Sequence, residues 1–353
     1  MSGGRERTAI ILFNLGGPDR PQAVVPFLVN LFSDPAIIAL PQPFRFLLAR
    51  LIAWRRSPVA RAIYDRMGGG SPLLANTQAQ ARALEAALAS EAGESRCFIA
   101  MRYWHPFAAE AARAVKQWGA TRILLLPLYP QFSSTTTASS VADWHRAARS
   151  VGIAAPTQAV CCYPTEAGWT QAVADAIRAA LPRARAAGGA PRLLFSAHGL
   201  PQRIVDRGDP YQWQVERCAA AVAARLEASG DRLDWLVCYQ SRVGRLQWLE
   251  PSTDAEIARA GAERRPLIVC PIAFVSEHSE TLVELDIEYR HLADRAGVPA
   301  YIRVPTVGTA PAFIEALARL VHATLAGGET VRAGDGVPIC PAAFPLCPHR
   351  MSA

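Results

Sequence analysis

The sequence predicts an α/β protein built on two parallel sheets, each of four strands flanked by helices. Short apolar runs recur eight times with helical stretches between them, and the four-strand scheme runs through twice. The chain of 353 residues, 51% apolar and 19% charged, is long enough for two domains with ample core. In such sheets ligands bind at the carboxyl ends of the strands. The polar strand exits are therefore expected to converge, with a cleft between the two halves as the natural place.

The first strand, Thr8 to Phe13, ends in Asn14-Leu15-Gly16-Gly17-Pro18, where glycines let a ligand or another backbone approach closely. Neither Walker spacing nor GxGxxG is present, which argues against a phosphate loop. Tyr64 to Pro72 is a glycine-rich turn before a helix from Asn76 to Ser90. Strands follow at Cys97 to Met101, Arg122 to Leu128 and Pro156 to Cys162. The first two of these exit into Arg102-Tyr103-Trp104-His105-Pro106 and into Tyr129-Pro130-Gln131-Phe132-Ser133-Ser134-Thr135. The second set reads at Arg192 to Ala197, Leu233 to Tyr239, Leu267 to Pro271 and Ala300 to Val304, with exits at His198, Gln240, Ser241 and His278. The expected division is 1–162 and 163–309 for the halves, 310–326 for a helix packing back on the body, and 327–353 for a cysteine-containing tail behind a glycine-rich hinge.

Residues 24 to 63 stand apart, rich in Phe, Leu, Ile and Val and broken by prolines. Ordinary core helices account for part of this stretch. Its apolar load beside Arg50, Arg55, Arg56 and Arg61 equally suits an interfacial segment dipping into an anionic membrane, and a greasy lip that receives a membrane-dissolved substrate would do both jobs. The formal charge is +7, carried by arginine with Lys116 as the sole lysine. No dense basic tract interleaved with aromatics is present, so a nucleic-acid role is not expected. The N-terminus lacks the apolar core of a secretory signal, and no run of about 18 apolar residues occurs, so neither export nor a spanning helix is expected. Eight cysteines in such a chain read as thiols or metal ligands rather than disulfides.

The chemistry concentrates in PIAFVSEHSETLVELDIEY, Pro271 to Tyr289. A buried strand gives way to a helix capped by Ser276 or Ser279, on which Glu280, Glu284 and Glu288 recur at i, i+4 and i+8 along one side. A solvated acidic face is the ordinary meaning of such a row. Here Val283 and Ile287 flank it while Leu282, Leu285 and Tyr289 lie opposite, and a helix apolar on most sides is usually buried. Buried carboxylates need a cation, protons or water. The row therefore reads as a path guiding a hard or borderline cation, or carrying protons, toward a site near His278. His198, at another strand end, is a structural histidine when taken alone. Paired with His278 and Glu280 it becomes a candidate base, or a transient site for Fe²⁺ or Zn²⁺, because imidazole titrates near neutrality and ligates metals.

LFSAHGLPQRIVDRGDPY, PIAFVSEHSETLVELDIEY, MRYWHP, YPQFSSTTTASS, YQSRVGRLQWLEP, NLGGP and GGGSP, in order over nearly the whole chain, resemble the signature segments of ferrochelatases. The resemblance implies a lyase that inserts Fe²⁺ into protoporphyrin IX as the last step of heme synthesis, on the chelatase fold of two Rossmann-like halves around a porphyrin cleft. It implies that His198 accepts pyrrole protons or helps hold the iron, that Glu280 stands beside it, and that His278 positions the macrocycle. Glu284 and Glu288 match acids leading from the pocket toward the surface. Arg102 and Tyr103 match the pair on the opposite porphyrin face; Tyr129 and Trp248 match pocket walls, with Leu15 and Phe274 as further candidate substrate-binding residues; Ser241 and Arg242 match a spot near the propionates, where the family often has lysine for Arg242. It leaves open the face from which iron enters. It further implies a cytoplasmic protein held peripherally at the inner membrane, with room for contact with the upstream porphyrinogen oxidase. Two other readings stay open: a chelatase for coproporphyrin III or another tetrapyrrole, and a non-catalytic tetrapyrrole or metal carrier.

Many ferrochelatases carry a [2Fe–2S] cluster. Cys97, Cys238, Cys270 and Cys218 read as packing residues, whereas Cys161, Cys162, Cys340 and Cys347 are candidate cluster ligands. This chain departs from the animal pattern, with Ser134 where the internal cysteine lies and only two cysteines in the tail. Adjacent strand residues point to opposite faces, so Cys161 and Cys162 can share a cluster only if the chain bends before Pro164. Zinc and four ordinary thiols are the alternatives.

Overall fold

The computed structural model describes residues 6–89, 93–242, 244, 246–334, 336 and 339–351. Val243 and Arg245, within the YQSRVGRLQWLEP run, lie outside them. The inner strands of both sheets are short, largely apolar runs buried on both faces, as parallel sheets covered by helices require. β1 (Arg7–Asn14), β2 (Glu94–Met101), β3 (Arg122–Pro127) and β4 (Thr157–Cys162) form one parallel sheet. A short strand, Val331–Ala333, joins it beside β4, so this sheet has five strands in the order β2-β1-β3-β4 and then 331–333, not four. The addition was invisible in sequence because three residues beside a glycine hinge carry no alternation to read. β5 (Arg192–His198), β6 (Asp234–Gln240), β7 (Leu267–Pro271) and β8 (Tyr301–Arg303) form the second parallel sheet, in the order β6-β5-β7-β8.

The chain divides into two compact units, 1–161 with 317–332, and 162–316 with 333–353. In the first unit the helices are α1 (Val24–Phe32), α2 (Phe44–Asp65), α3 (Leu73–Leu88), α4 (Ala108–Trp118) and α5 (Thr137–Ser150). α4 shows how the sequence sets its own limits. Glu110 accepts the Phe107 N–H at 2.7 Å at its start, and Gly119, with φ of 76°, turns left-handed at its end. One face of the first sheet packs Phe13, Phe98, Leu125 and Tyr129 against α4 and Trp144 of α5. α1 turns Phe27 and Leu28 onto Tyr103 and Trp104 and is core. α2, which runs through Pro58, leaves Phe44, Leu47, Leu51, Trp54 and Val59 exposed among arginines.

The second unit holds α6 (Ala167–Ala186), α7 (Gln202–Asp206), α8 (Tyr211–Ala228), α9 (Thr253–Ala262), a π-helix (Glu280–Glu288), α10 (Tyr289–Ala296) and the first part of α11 (Pro311–Ala326), where the chain passes back to the first unit at Leu317. The acidic segment is thus a π-helix, not the expected α-helix; such widened turns are frequent at functional sites. In both sheets the direction of strand addition reverses, between β1 and β3 in one and between β5 and β7 in the other. Ligands of open parallel sheets bind at such switch points, beyond the carboxyl ends of the strands. Asn14, Leu15 and Tyr129 follow one switch; His198 and the segment from Pro271 to His278 follow the other.

Candidate active site

In the second unit, His198 ends β5 and Glu280 opens the π-helix, and their side chains meet with Nδ1 and Oε2 2.8 Å apart. The Tyr211 hydroxyl donates to the His198 carbonyl at 3.1 Å and fixes the strand end. Gly199 must be glycine: a Cβ there would come within 2.9 Å of the Gln240 carbonyl and 3.4 Å of the Trp248 ring. His278 donates from Nδ1 to the Ser276 carbonyl at 3.0 Å, so its Nε2 is turned to Glu280 Oε1, 3.8 Å away. Phe274 lies against the His278 ring, centroids 4.6 Å apart.

Ser241, which the resemblance places near the propionates, faces the two acids. Its N–H donates to Glu284 Oε1 at 2.8 Å, and its hydroxyl stands 2.5 Å from Glu284 Oε2 and 3.0 Å from Glu280 Oε2. Gln240 Nε2 reaches both acids at 3.4 Å, and Tyr289 donates to Glu284 at 3.2 Å. Arg242 pairs with Glu250 at 3.4 Å, and Glu288 is exposed near the end of the π-helix. Of the three expected acids, Glu280 and Glu284 share the Ser241 hydroxyl, and Glu288 stands at the exposed end of the helix.

The two joined carboxylates are driven apart electrostatically. Burial works to raise Glu280, but His198 and then His278 outweigh it and hold the acid well below its usual range. Burial, then the charge of Glu280, push Glu284 up, against the opposing pull of its Ser241 bonds. Burial works to lower His198, yet the Glu280 carboxylate prevails and keeps the imidazole above its ordinary value. One ionised acid, one acid inclined to hold a proton, and one imidazole stand in line. Such divergence between neighbouring groups marks acid–base chemistry.

Unseen in the sequence, Arg303 anchors this helix. It grips Asp286 through Nε at 2.9 Å and Nη2 at 2.5 Å, and Glu277 through Nη1 at 2.5 Å, while Thr306 N–H donates to Glu277 at 2.9 Å. The fork ties β8 to both ends of the segment carrying His278, Glu280 and Glu284.

In the first unit, Arg102 and Tyr103 form a second cluster around an acid that sequence reading passed over. Asp34, 3% exposed, accepts Arg102 Nη2 at 2.8 Å, the Tyr103 hydroxyl at 2.8 Å and Ser139 Oγ at 2.5 Å. Arg102 Nε also donates to Ser139 at 2.7 Å. The Tyr103 N–H donates to the Leu15 carbonyl at 2.9 Å, and the Arg102 N–H to that of Asn14 at 2.9 Å. Tyr129 is buried in the adjoining core. Asp34, Arg102, Ser139, Asp143 and Arg146 help line a cavity of about 760 Å³. The signal available in sequence was a lone Asp within an apolar stretch.

Two of the candidate cluster cysteines share a polar neighbour. Gln214 Nε2 lies 3.5 Å from Cys162 Sγ and 3.2 Å from Cys340 Sγ. Cys340 also hydrogen-bonds Cys347, and that bond, then burial, push its thiol up. The tail docks on the start of α8, with Phe344 against Trp213 at 6.0 Å and Leu346 N–H reaching the Gly208 carbonyl at 3.4 Å. β4, however, continues through Cys162, so the bend needed to bring Cys161 onto the same face is missing. Cys162 and Cys347 each neighbour Cys340, and the expected four-thiolate set is not formed. Among the described residues, no group of three or more His, Cys, Asp or Glu is placed to hold a metal ion.

Comparisons with known proteins bear on this site. The family model for ferrochelatase matches residues 7–325. The chain is 54% identical to a ferrochelatase of Phenylobacterium zucineum, covering 98% of each chain. It is 52% identical to one of Caulobacter vibrioides over 99% of each, and 51% identical to one of Hyphomonas neptunium over 97% of this chain and 95% of that one. Among solved structures, the sirohydrochlorin chelatase SirB of Bacillus subtilis subspecies spizizenii, in complex with cobalt, matches with a TM-score of 0.50 at 13% identity, covering 90% of this chain and 95% of that one; the likeness is one of fold. With a family model over nearly all of its length and relatives at half identity end to end, the chain belongs to the ferrochelatase family.

Proposed function

We propose that the protein inserts Fe²⁺ into protoporphyrin IX to give protoheme, releasing two protons. The observation that carries the reading is the His198–Glu280 pair, 2.8 Å apart, backed by Glu284. A porphyrin holds two N–H protons inside a rigid ring, and each must pass to a base within hydrogen-bond reach before the metal is sealed in. Neutral His198 is that base, and the imidazolium it becomes is stabilised by ionised Glu280. His198 and Glu280 are also the first contacts for the incoming iron, as weak ligands that offset the cost of shedding water. Glu284 takes protons onward, with Glu288 at the exposed end of the helix. His278, held by its Ser276 bond, and Phe274 and Trp248 position the macrocycle. Arg242 serves the porphyrin carboxylates, and Leu15, Arg102, Tyr103 and Tyr129 are substrate contacts of the first unit.

An anaerobic assay of protoporphyrin disappearance with Fe²⁺ tests the reading. Wild type turns over, His198→Ala abolishes product, and Glu280→Gln lowers kcat by about 100-fold, the scale of a lost acid–base group. A wild type that binds porphyrin without metallating it overturns the proposal. Coproporphyrin III in the same assay decides the substrate; the exposed apolar side chains of α2 favour the less polar protoporphyrin.

Two accessory readings belong to the proposal. Phe44, Leu47 and Trp54, exposed beside Arg50 and Arg55, suit a peripheral seat on the anionic cytoplasmic face of the inner membrane. Among the described residues no helix is long and apolar enough to cross a membrane. Contact there with the oxidase that supplies protoporphyrin is part of this reading. Cys162, Cys340 and Cys347 support a thiol-bound centre beside Gln214. A [2Fe–2S] cluster needs Cys161 to turn toward them, whereas zinc needs one further donor of any kind. Visible absorption and metal analysis of anaerobically purified protein separate the two, and colourless, metal-free protein rejects both.

A further inference from the structure

The Ser241 hydroxyl sits between two carboxylate oxygens, 2.5 Å from Glu284 and 3.0 Å from Glu280. A serine carries one hydroxyl proton and can donate it to only one of them. The backbone is committed to this arrangement. Ser241 adopts φ of 61°, left-handed and uncommon for a residue other than glycine, and there its N–H also faces Glu284 at 2.8 Å. Amide and hydroxyl thus clamp one carboxylate from two sides. The preceding Gln240 has its amide oriented by Ser196, which donates to its carbonyl at 2.7 Å, and it supplies a third donor to the same pair.

We infer that Ser241 is a positioning residue of the acid pair, whose amide and hydroxyl hold the Glu284 carboxylate beside Glu280 in the geometry that turnover requires. The inference rests on the ferrochelatase reading. It departs from the placement of this serine at the substrate propionates, because both of its polar groups are occupied by Glu284.

Two variants test it in anaerobic steady-state assays with protoporphyrin IX and Fe²⁺, their folding checked by thermal melting. Ser241→Ala removes the hydroxyl. Ser241→Gly also removes it but suits the left-handed backbone and keeps the amide, so it decides the question should the alanine variant fail to fold. Both are expected to lower kcat roughly 10-fold, the scale of one hydrogen bond to a charged group, with the KM for porphyrin within about two-fold of wild type. Unchanged kcat in either folded variant overturns the inference. So does a raised porphyrin KM with kcat held, which would give the hydroxyl to the substrate carboxylates. Absence of turnover in wild type would instead strike the ferrochelatase reading itself.

Discussion

Replacing Arg303 by methionine should unsettle the segment that carries the acids before it touches any chemistry. The Arg303 side chain is 10% exposed and pairs with Glu277 and Asp286, which are 23% and 28% exposed. Breaking a buried pair by removing one partner costs about 3–5 kcal/mol, because the other charge is left unpaired in a poor dielectric. Here two acids are stranded. Both retain some solvent, and Glu277 keeps the Thr306 N–H, so the low end, about 3 kcal/mol, is the better figure. For a unit of this length that is a fall in Tm of about 6–12 °C. The pH dependence identifies the cause. Against the upward pull of burial, Arg303 holds Glu277 below the usual carboxylate range. A depressed pKa contributes stability that is present above the unfolded value, about 4.3, and lost as the pH falls through the lower folded value. The variant lacks that contribution, so its deficit should be full at pH 7 and shrink below about pH 4.3 as Glu277 protonates. Urea denaturation at pH 7 and pH 4 measures both. A loss under about 1 kcal/mol at pH 7, or one that does not shrink at pH 4, would refute the argument that stranded carboxylates carry the cost.

Three further outcomes are expected. In Glu280→Gln the His198 ring loses the charge that lifts it against burial; since only neutral imidazole accepts a proton, the acidic limb of the residual kcat/KM profile should move to lower pH, and a limb that stays in place would separate the two residues functionally. Glu284, whose folded pKa lies above its unfolded value, destabilises the fold at pH values above the folded pKa, and that penalty vanishes below the unfolded one. Glu284→Gln should therefore raise unfolding free energy at neutral pH, an effect fading toward pH 4, while slowing turnover; lower stability at pH 7 would contradict this. Leu47→Ser with Trp54→Ser removes two exposed side chains worth about 1.5 kcal/mol each on burial, so affinity for anionic vesicles in flotation assays should fall about 100-fold, and equal flotation would remove α2 from the membrane contact.

The strands were legible because strands buried on both faces are near-continuous apolar runs, as the middles of β1, β3, β5 and β7 are. Their polar exits were legible because a parallel sheet places its functional groups where the apolar run stops. What stayed hidden was whatever depends on groups distant in sequence or on backbone angle. Asp34 becomes the centre of the Arg102–Tyr103 cluster only through Ser139, 105 residues on. Arg303 finds Glu277 and Asp286 only once β8 lies beside β7. The change from α- to π-helix moves no residue in the sequence, and the pattern of acids reads alike in both. Cys161 and Cys162 were the reverse case: the period of two already said that one must face away, and a strand that continues through Cys162 keeps it so.

Ser241 shows the limit of motif reading in a sharper form. The YQS run marks a serine that matters, and proximity to a carboxylate is right in kind. Which carboxylate it serves is set by a single backbone angle. At φ of 61° its N–H and hydroxyl both turn to Glu284; a residue in the extended region would send the side chain and the amide in different directions. A serine that bound only substrate would gain nothing from that angle in the free protein. One that holds two acids in contact must pay for it at all times, because the acids repel whenever both are ionised. The left-handed turn is therefore expected wherever the acid pair is kept, and a family member lacking Glu284 should have no use for it.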